Sequence, residues 1–239
     1  DRPPVHREII AKLREHLRLG EPLPRALDIG CGAGLSTAAL ETVADRVFGI
    51  EPIAPMLQFR AAVTTSKHFT VARAEQLPFA DDSFDLLTAA GSLNYADLSL
   101  FLPEAARVLS AHGVLAIYDF SEGKRLNGDA RLEQWYAAFK ARYPAPSGYA
   151  LSVRTLPYEN YGLRFDSYHE LQVAVPLTHA SYLRYVLSET SVEQALVRGE
   201  AEAGIEAWCR ETLADIFGEQ LREVFFDAYI AYASIANRA

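Results

Sequence analysis

"RALDIGCGAGLSTAAL", residues 25–40, decides the fold. An apolar run leads into Gly30, Gly32 and Gly34, each followed by one residue, and then into a stretch with helical spacing. That order reads as strand, tight turn and helix. A glycine-rich turn at this junction lets main-chain N–H groups approach a ligand closely. The dinucleotide fingerprint G-x-G-x-x-G needs a third glycine where this chain has Leu35. The spacing is instead D-x-G-x-G-x-G, from Asp28 to Gly34. A purely structural bend would use the same glycines, so the turn alone does not name a ligand.

The second clue lies downstream. "RVFGIE" reads as a strand that ends on Glu51, 23 positions after Asp28. A carboxylate at that strand end can accept hydrogen bonds from both hydroxyls of a ribose. By itself Glu51 is an ordinary acid at a strand terminus. With the glycine turn it predicts a ribose-bearing ligand across the carboxyl ends of the first two strands.

The pattern around these motifs alternates. "VHREIIAKLREHLRL" places Ile9, Ile10, Leu13 and Leu17 on one face of a first helix. "LSTAALETVAD", "IAPMLQFRAAVT" and "SLFLPEAARVLSAHG" read as helices, the last ending at Gly113. "HFTVA", "FDLLTAA" and "VLAIYDF" read as strands. Five strands separated by helices by residue 120 predict a parallel α/β sheet. Beyond it, "GDARLEQWYAAFKARYP" reads as a helix, 144–165 as irregular, and "SYHELQVAVPL" as a sixth strand. Helical stretches near 179–198 and 200–217 follow, then "VFFDAYIAYASIA" as a closing strand apolar on both faces. No linker separates a second domain, so 1–239 reads as one domain.

In order and spacing, "LDIGCGAG", "GIEPIAPML", "ARAEQLPFADDSFDLL" and "EAARVLSAHGVLAI" resemble the motif series of class I S-adenosylmethionine-dependent methyltransferases. The resemblance covers residues 2–120 and is nearest to small-molecule methyltransferases similar to trans-aconitate methyltransferase. It implies a doubly wound, mostly parallel, Rossmann-like sheet of seven strands. The last strand would be antiparallel and inserted beside the sixth, and a small cap would come from the irregular segment. It also implies S-adenosylmethionine as cofactor. The backbones of Gly30, Cys31, Gly32 and Gly34 would face its methionine part, and Asp28 would help hold its ammonium. Glu51 would hold the ribose, and Pro52 and Met56 would pack on the adenine. Ala74 would offer a main-chain N–H to the adenine edge, and Ala90 would line the site at the fourth strand's end. Asp28 would otherwise be a loop hydrogen-bonder, and Met56 simple core.

The chain departs from the family in places. Arg73 stands where an Asp or Asn usually accepts from the adenine amino group, which arginine cannot do. Either Glu75 or a main-chain carbonyl would replace it, or adenine binding would be weaker. Asn94-Tyr95 replaces the subgroup's His-Trp beside the transferred methyl, and Asp1 replaces a tyrosine.

Candidates for the acceptor side come from the residues themselves. Tyr95 and Tyr118 follow the fourth strand and end the fifth, where ligands sit in open α/β sheets. Tyr95 is expected to line the active site. His169, at the start of the sixth strand, is either a base or structural. Trp135 with Tyr136, Tyr143, Tyr149, Tyr158, Tyr161 and Tyr168 forms either an aromatic acceptor pocket or the core of the cap. Arg154 and Arg164 either clamp a carboxylate bidentately or are plain surface residues.

Composition bounds the partners. Half of the 239 residues are apolar, and the net charge is −8. An acidic surface without a dense Lys/Arg run disfavours nucleic acid and anionic membranes. No apolar stretch reaches the length of a membrane span. Two cysteines make no disulfide framework and point to a reducing cytoplasm. The histidines and cysteines lack metal-ligand spacing, and neither G-x-S-x-G nor a phosphate loop occurs. The leading expectation is methyl transfer to a small organic acceptor. The alternatives are an enzyme of the same fold that does not methylate, of cyclase or eliminase type, and a non-catalytic regulatory binder.

Overall fold

The computed structural model describes residues 3–145 and 151–236. α1 (Val5–His16) buries Ile9, Ile10 and Leu13 completely. β1 (Leu23–Ile29) follows, then α2 (Leu35–Leu40), β2 (Ala44–Ile50), β3 (His68–Thr70), β4 (Phe84–Ala90), α3 (Leu98–Val108) and β5 (Leu109–Phe120). The later half supplies β6 (Arg125–Leu126), α4 (Arg131–Arg142), β7 (Leu163–Leu177), α5 (His179–Leu187), α6 (Thr190–Val197), α7 (Glu202–Phe217) and β8 (Arg222–Ile235).

The strands lie in the order β3-β2-β1-β4-β5-β8-β6, with β7 also paired to β8. The pairs from β3 to β5 are all parallel, and β8 runs antiparallel to β5. Ala26 to Ile29 of β1 are all buried, as a strand covered on both faces must be. Among the described residues the sheet has eight strands, one more than the seven the resemblance implies. The addition is the two-residue β6, too short to leave any periodicity in the sequence. The antiparallel last strand takes the expected place between β5 and β7.

Four elements end differently from their sequence pattern. α3 stops at Val108, not Gly113. The carbonyls of Arg107 and Val108 accept from the N–H groups of Asp82 and Ser83, and Leu109 pairs with Phe84 in the sheet. Those bonds replace another helical turn. α2 stops at Leu40, because the Val43 carbonyl is taken by Leu23 N–H at the start of the β1–β2 ladder. Residues Ala54–Ala62 form 3₁₀ turns. Leu57 alone of the nine is buried, which leaves no apolar stripe to hold an α-helix. The stretch near 179–198 breaks between α5 and α6. There Ser188 turns its hydroxyl onto the Tyr185 carbonyl, a local bond that competes with helix continuation.

The described residues gather into two compact units. The larger holds 6–120, 151–171 and 228–236; the smaller holds 3–5, 121–145 and 172–227. Leu27, Ile29, Leu87, Phe101, Leu115 and Ile117 lie at the centre of the larger core. The smaller unit has an aromatic core. Trp135 stacks on Phe139 and on Trp208, with ring centres 5.2 and 5.7 Å away, and donates to Thr212 Oγ1 at 2.7 Å.

That core corrects the aromatic-pocket reading. Tyr136 and Tyr143 are buried within it. Tyr158, Tyr161 and Tyr168 belong to the larger unit: Tyr158 stacks on Phe165, Tyr168 stacks on Tyr229, and Tyr161 packs against the sheet core. The described rings are thus divided between the cores of the two units. Tyr149 and Asp1 lie outside the described residues.

Candidate active site

The glycine turn is built as its spacing requires. Gly30, Gly32 and Gly34 have φ of 69°, 52° and 93°, left-handed values that other residues reach only with strain. A Cβ on Gly30 would stand 2.4 Å from Ser92 Cβ. Ser92, just after β4, donates to the Ile29 carbonyl at 2.5 Å. The loop after β4 thus closes directly on the turn after β1, where the strand order reverses direction. Ligands bind at this switch point in open α/β sheets.

Glu51 holds the turn from the other side. Its carboxylate is only 6% exposed, and it accepts from Gly32 N–H at 2.9 Å through Oε2 and from Ile53 N–H at 2.9 Å through Oε1. Two main-chain N–H groups thus satisfy this nearly buried acid. Met56 reaches over Gly32: a Cβ there would meet Met56 Cε at 3.6 Å. Met56 is 39% exposed and Pro52 is exposed, so neither is core. Ala74 is half-buried and packs against the sheet core.

Asp28 lies elsewhere than the resemblance implies. It is fully buried, and accepts from Ser36 Oγ at 2.6 Å, Thr37 Oγ1 at 2.7 Å and Thr88 Oγ1 at 3.3 Å. It ties β1 to α2 and β4 from inside. Full burial and three hydroxyl partners take its carboxylate away from an incoming ammonium. The Cys31 thiol is buried, and burial pushes its pKa far above the ordinary thiol range, so it is inert.

Glu75 is engaged by Asp97 N–H at 2.9 Å and Arg73 Nε at 3.4 Å. Desolvation opposes its ionisation, but these donors win and hold its pKa below the usual value. Glu75 thus pairs with Arg73 and anchors the Asp97 main chain. Ala90 pairs with Tyr118 at the β4–β5 edge.

The catalytic candidates fare differently. Tyr95 sits in the turn after β4 with 88% of its surface exposed, and no wall forms around it. His169 is not brought to the turn. It meets His16 and Tyr232, with ring centres 4.7 and 5.9 Å away, and Ser167 Oγ at 3.1 Å. His16 ends α1, seven residues before β1 begins. Arg154 lies over the Tyr168 ring at 3.8 Å and pairs with Glu170; Arg164 pairs with Asp166. Each arginine is thus paired with a nearby acid.

Two further residues border the strand ends beside the turn. Ser92 is one. Asp119, at the end of β5, is the other: a Cβ on Gly91 would stand 2.9 Å from its Oδ1. The acid was visible in "IYDF" as the last polar residue before the strand ends, yet nothing in the strand pattern marks it from other strand-end acids.

A sheet in this order, with a glycine turn on β1 clasped by an acid from β2, defines the fold of the class I S-adenosylmethionine-dependent methyltransferases. Residues 27–117 match the methyltransferase domain family, a match that supports S-adenosylmethionine as the cofactor. A Dictyostelium discoideum protein provisionally named a methyltransferase is 28% identical over 149 residues, 61% of this chain and 56% of its own length. The chain thus spans a little over half of that relative. An uncharacterized methyltransferase of Bacillus subtilis, YcgJ, is 26% identical over 189 residues, 66% of this chain and 72% of its own. The same fold recurs in the structure of a provisionally named type II methyltransferase from Anaeromyxobacter dehalogenans. Its TM-score is 0.69 and its identity 23%, over 98% of this chain and 97% of that one. It recurs also in the [4+2]-cyclase SpnF, with TM-score 0.56 and identity 16%, over 96% and 81%.

Proposed function

We propose that the protein binds S-adenosylmethionine across β2 and β1 and transfers its methyl group to a small organic acceptor. The observation that carries this is Glu51, a nearly buried carboxylate held on Gly32 and Ile53 N–H at the switch point. A ribose supplies two hydroxyl donors to such an acid, and the side-chain-free main chain at Gly32 lets the rest of the ligand approach. The bound sulfonium supplies an activated methyl group. Glu51 fixes the sugar, the main chain of the glycine turn faces the amino-acid tail, and Met56 with Pro52 covers the base. Alignment of nucleophile with methyl carries most of the rate, about 7–11 kcal/mol in favourable cases. We place the protein in the cytoplasm; its two cysteines, Cys31 and Cys209, are free and buried, as in a reducing compartment. Among the described residues no helix is long and apolar enough to cross a membrane.

Titration calorimetry with S-adenosylhomocysteine tests the reading. Glu51→Ala should weaken binding by about 1.5–3 kcal/mol through loss of charged hydrogen bonds. An unchanged affinity removes Glu51 from the site. Release of S-adenosylhomocysteine with an acceptor pool separates methyl transfer from the cyclase-type and regulatory alternatives, which bind the cofactor without consuming it.

A further inference from the structure

Along the carboxyl ends of the parallel strands, the polar groups form a row. Glu51 ends β2, the glycine turn ends β1, Gly91 and Ser92 follow β4, and Asp119 ends β5. The row is in contact: Gly30 abuts Ser92, and the next residue back, Gly91, abuts Asp119. Asp119 therefore lies beyond the turn on the side away from the ribose acid. In the proposed binding mode the nucleoside occupies the Glu51 side, and the reacting methyl points toward β4 and β5.

Asp119 is incompletely satisfied. Its Oδ1 accepts Phe120 N–H at 2.8 Å, and no cation pairs with it among the described residues. Tyr229 faces it across the β5–β8 ladder, Tyr118 precedes it, and His6 meets Tyr118 and Phe120. Both tyrosines are pushed to higher pKa by burial, so they stay neutral and offset none of its charge. Burial raises the Asp119 pKa as well. A half-buried carboxylate without a counter-charge is costly unless a ligand supplies the partner.

We propose that Asp119 faces the point of methyl transfer and receives a proton-bearing nucleophile, an amine or a hydroxyl, in preference to a carboxylate. This rests on the methyltransferase reading above. As the new bond to carbon forms, the sulfur–methyl bond breaks and its electron pair stays on sulfur, giving the neutral thioether. The nucleophile's proton passes to the free Asp119 oxygen. A carboxylate acceptor has no proton to give and would be repelled.

Sinefungin carries an amine in place of the methyl sulfonium centre, so its ammonium probes this position directly. The wild-type protein should bind sinefungin about tenfold more tightly than S-adenosylhomocysteine by calorimetry, the value of one charged hydrogen bond. In Asp119→Asn and Asp119→Ala that preference should fall to within about twofold while S-adenosylhomocysteine affinity stays unchanged; Asp119→Glu should restore part of it. A preference that survives both substitutions, or that is absent from the wild type, overturns the assignment. So does equal weakening of both ligands, which marks a structural acid. If the wild type binds neither ligand, the methyltransferase reading itself fails.

Discussion

Asp28 shows how a motif residue can serve the fold from inside. Its carboxylate accepts three hydroxyl groups with no solvent contact, and burial raises its pKa to about 6 against the lowering effect of Ser36, Thr37 and Thr88. Glu51 nearby pushes it the same way as burial. The folded state thus keeps a proton that the unfolded chain releases near pH 4. Stability from this group is full below about pH 4 and is lost as pH rises toward 6, then stays flat. Asp28→Asn removes that loss. Between pH 4 and pH 7 the variant should gain about 2–3 kcal/mol relative to wild type in urea unfolding. Parallel stability–pH curves for the two proteins would refute the buried-acid assignment. The acid was legible in "LDIGCGAG", but its partners were not. Ser36 and Thr37 read as helix residues, and Thr88 is sixty positions away, so only the folded chain shows where the carboxylate is used.

At the scale of elements, the strand–turn–helix signal was strong because three glycines, a buried strand and a strand-end acid all demand one geometry. Gly30 carries the sharpest form of that demand. An alanine there would need a left-handed φ and would drive its Cβ to 2.4 Å from Ser92 Cβ. Gly30→Ala should cost about 2 kcal/mol or more and should abolish S-adenosylhomocysteine binding. Gly20→Ala is the control: nothing lies within 4 Å of a Cβ there, and its φ is not left-handed. Its thermal unfolding and ligand affinity should match wild type. Equal effects at both positions would mean that the turn tolerates side chains and is not a cradle. Element ends were less legible than element types. α3 and β5 share one apolar run, and only the bonds from Asp82 and Ser83 decide that the helix stops at Val108.

For the whole molecule, the sheet from β1 to β5 was readable because each strand is a buried run flanked by breakers. The part after residue 120 was not, because its tyrosines and tryptophans carry no period that separates a ligand wall from a core. The structure sorts them by unit, and Trp135 is the test of that sorting. It contacts Phe139, Trp208 and Tyr182 and bonds Thr212, all within the smaller unit. Removing a buried indole costs about 3–5 kcal/mol, here charged to that aromatic core. In Trp135→Ala, amide hydrogen exchange should accelerate across Arg131–Arg142 and Glu202–Phe217, the helices that share the ring. The amides of β1 and β4 draw their protection from the larger core and should keep it. S-adenosylhomocysteine should then still bind, since Glu51 and the glycine turn stand in the larger unit. Loss of protection in β1 and β4 in step with α4 would show one cooperative body in which the aromatic cluster supports the cofactor cradle as well.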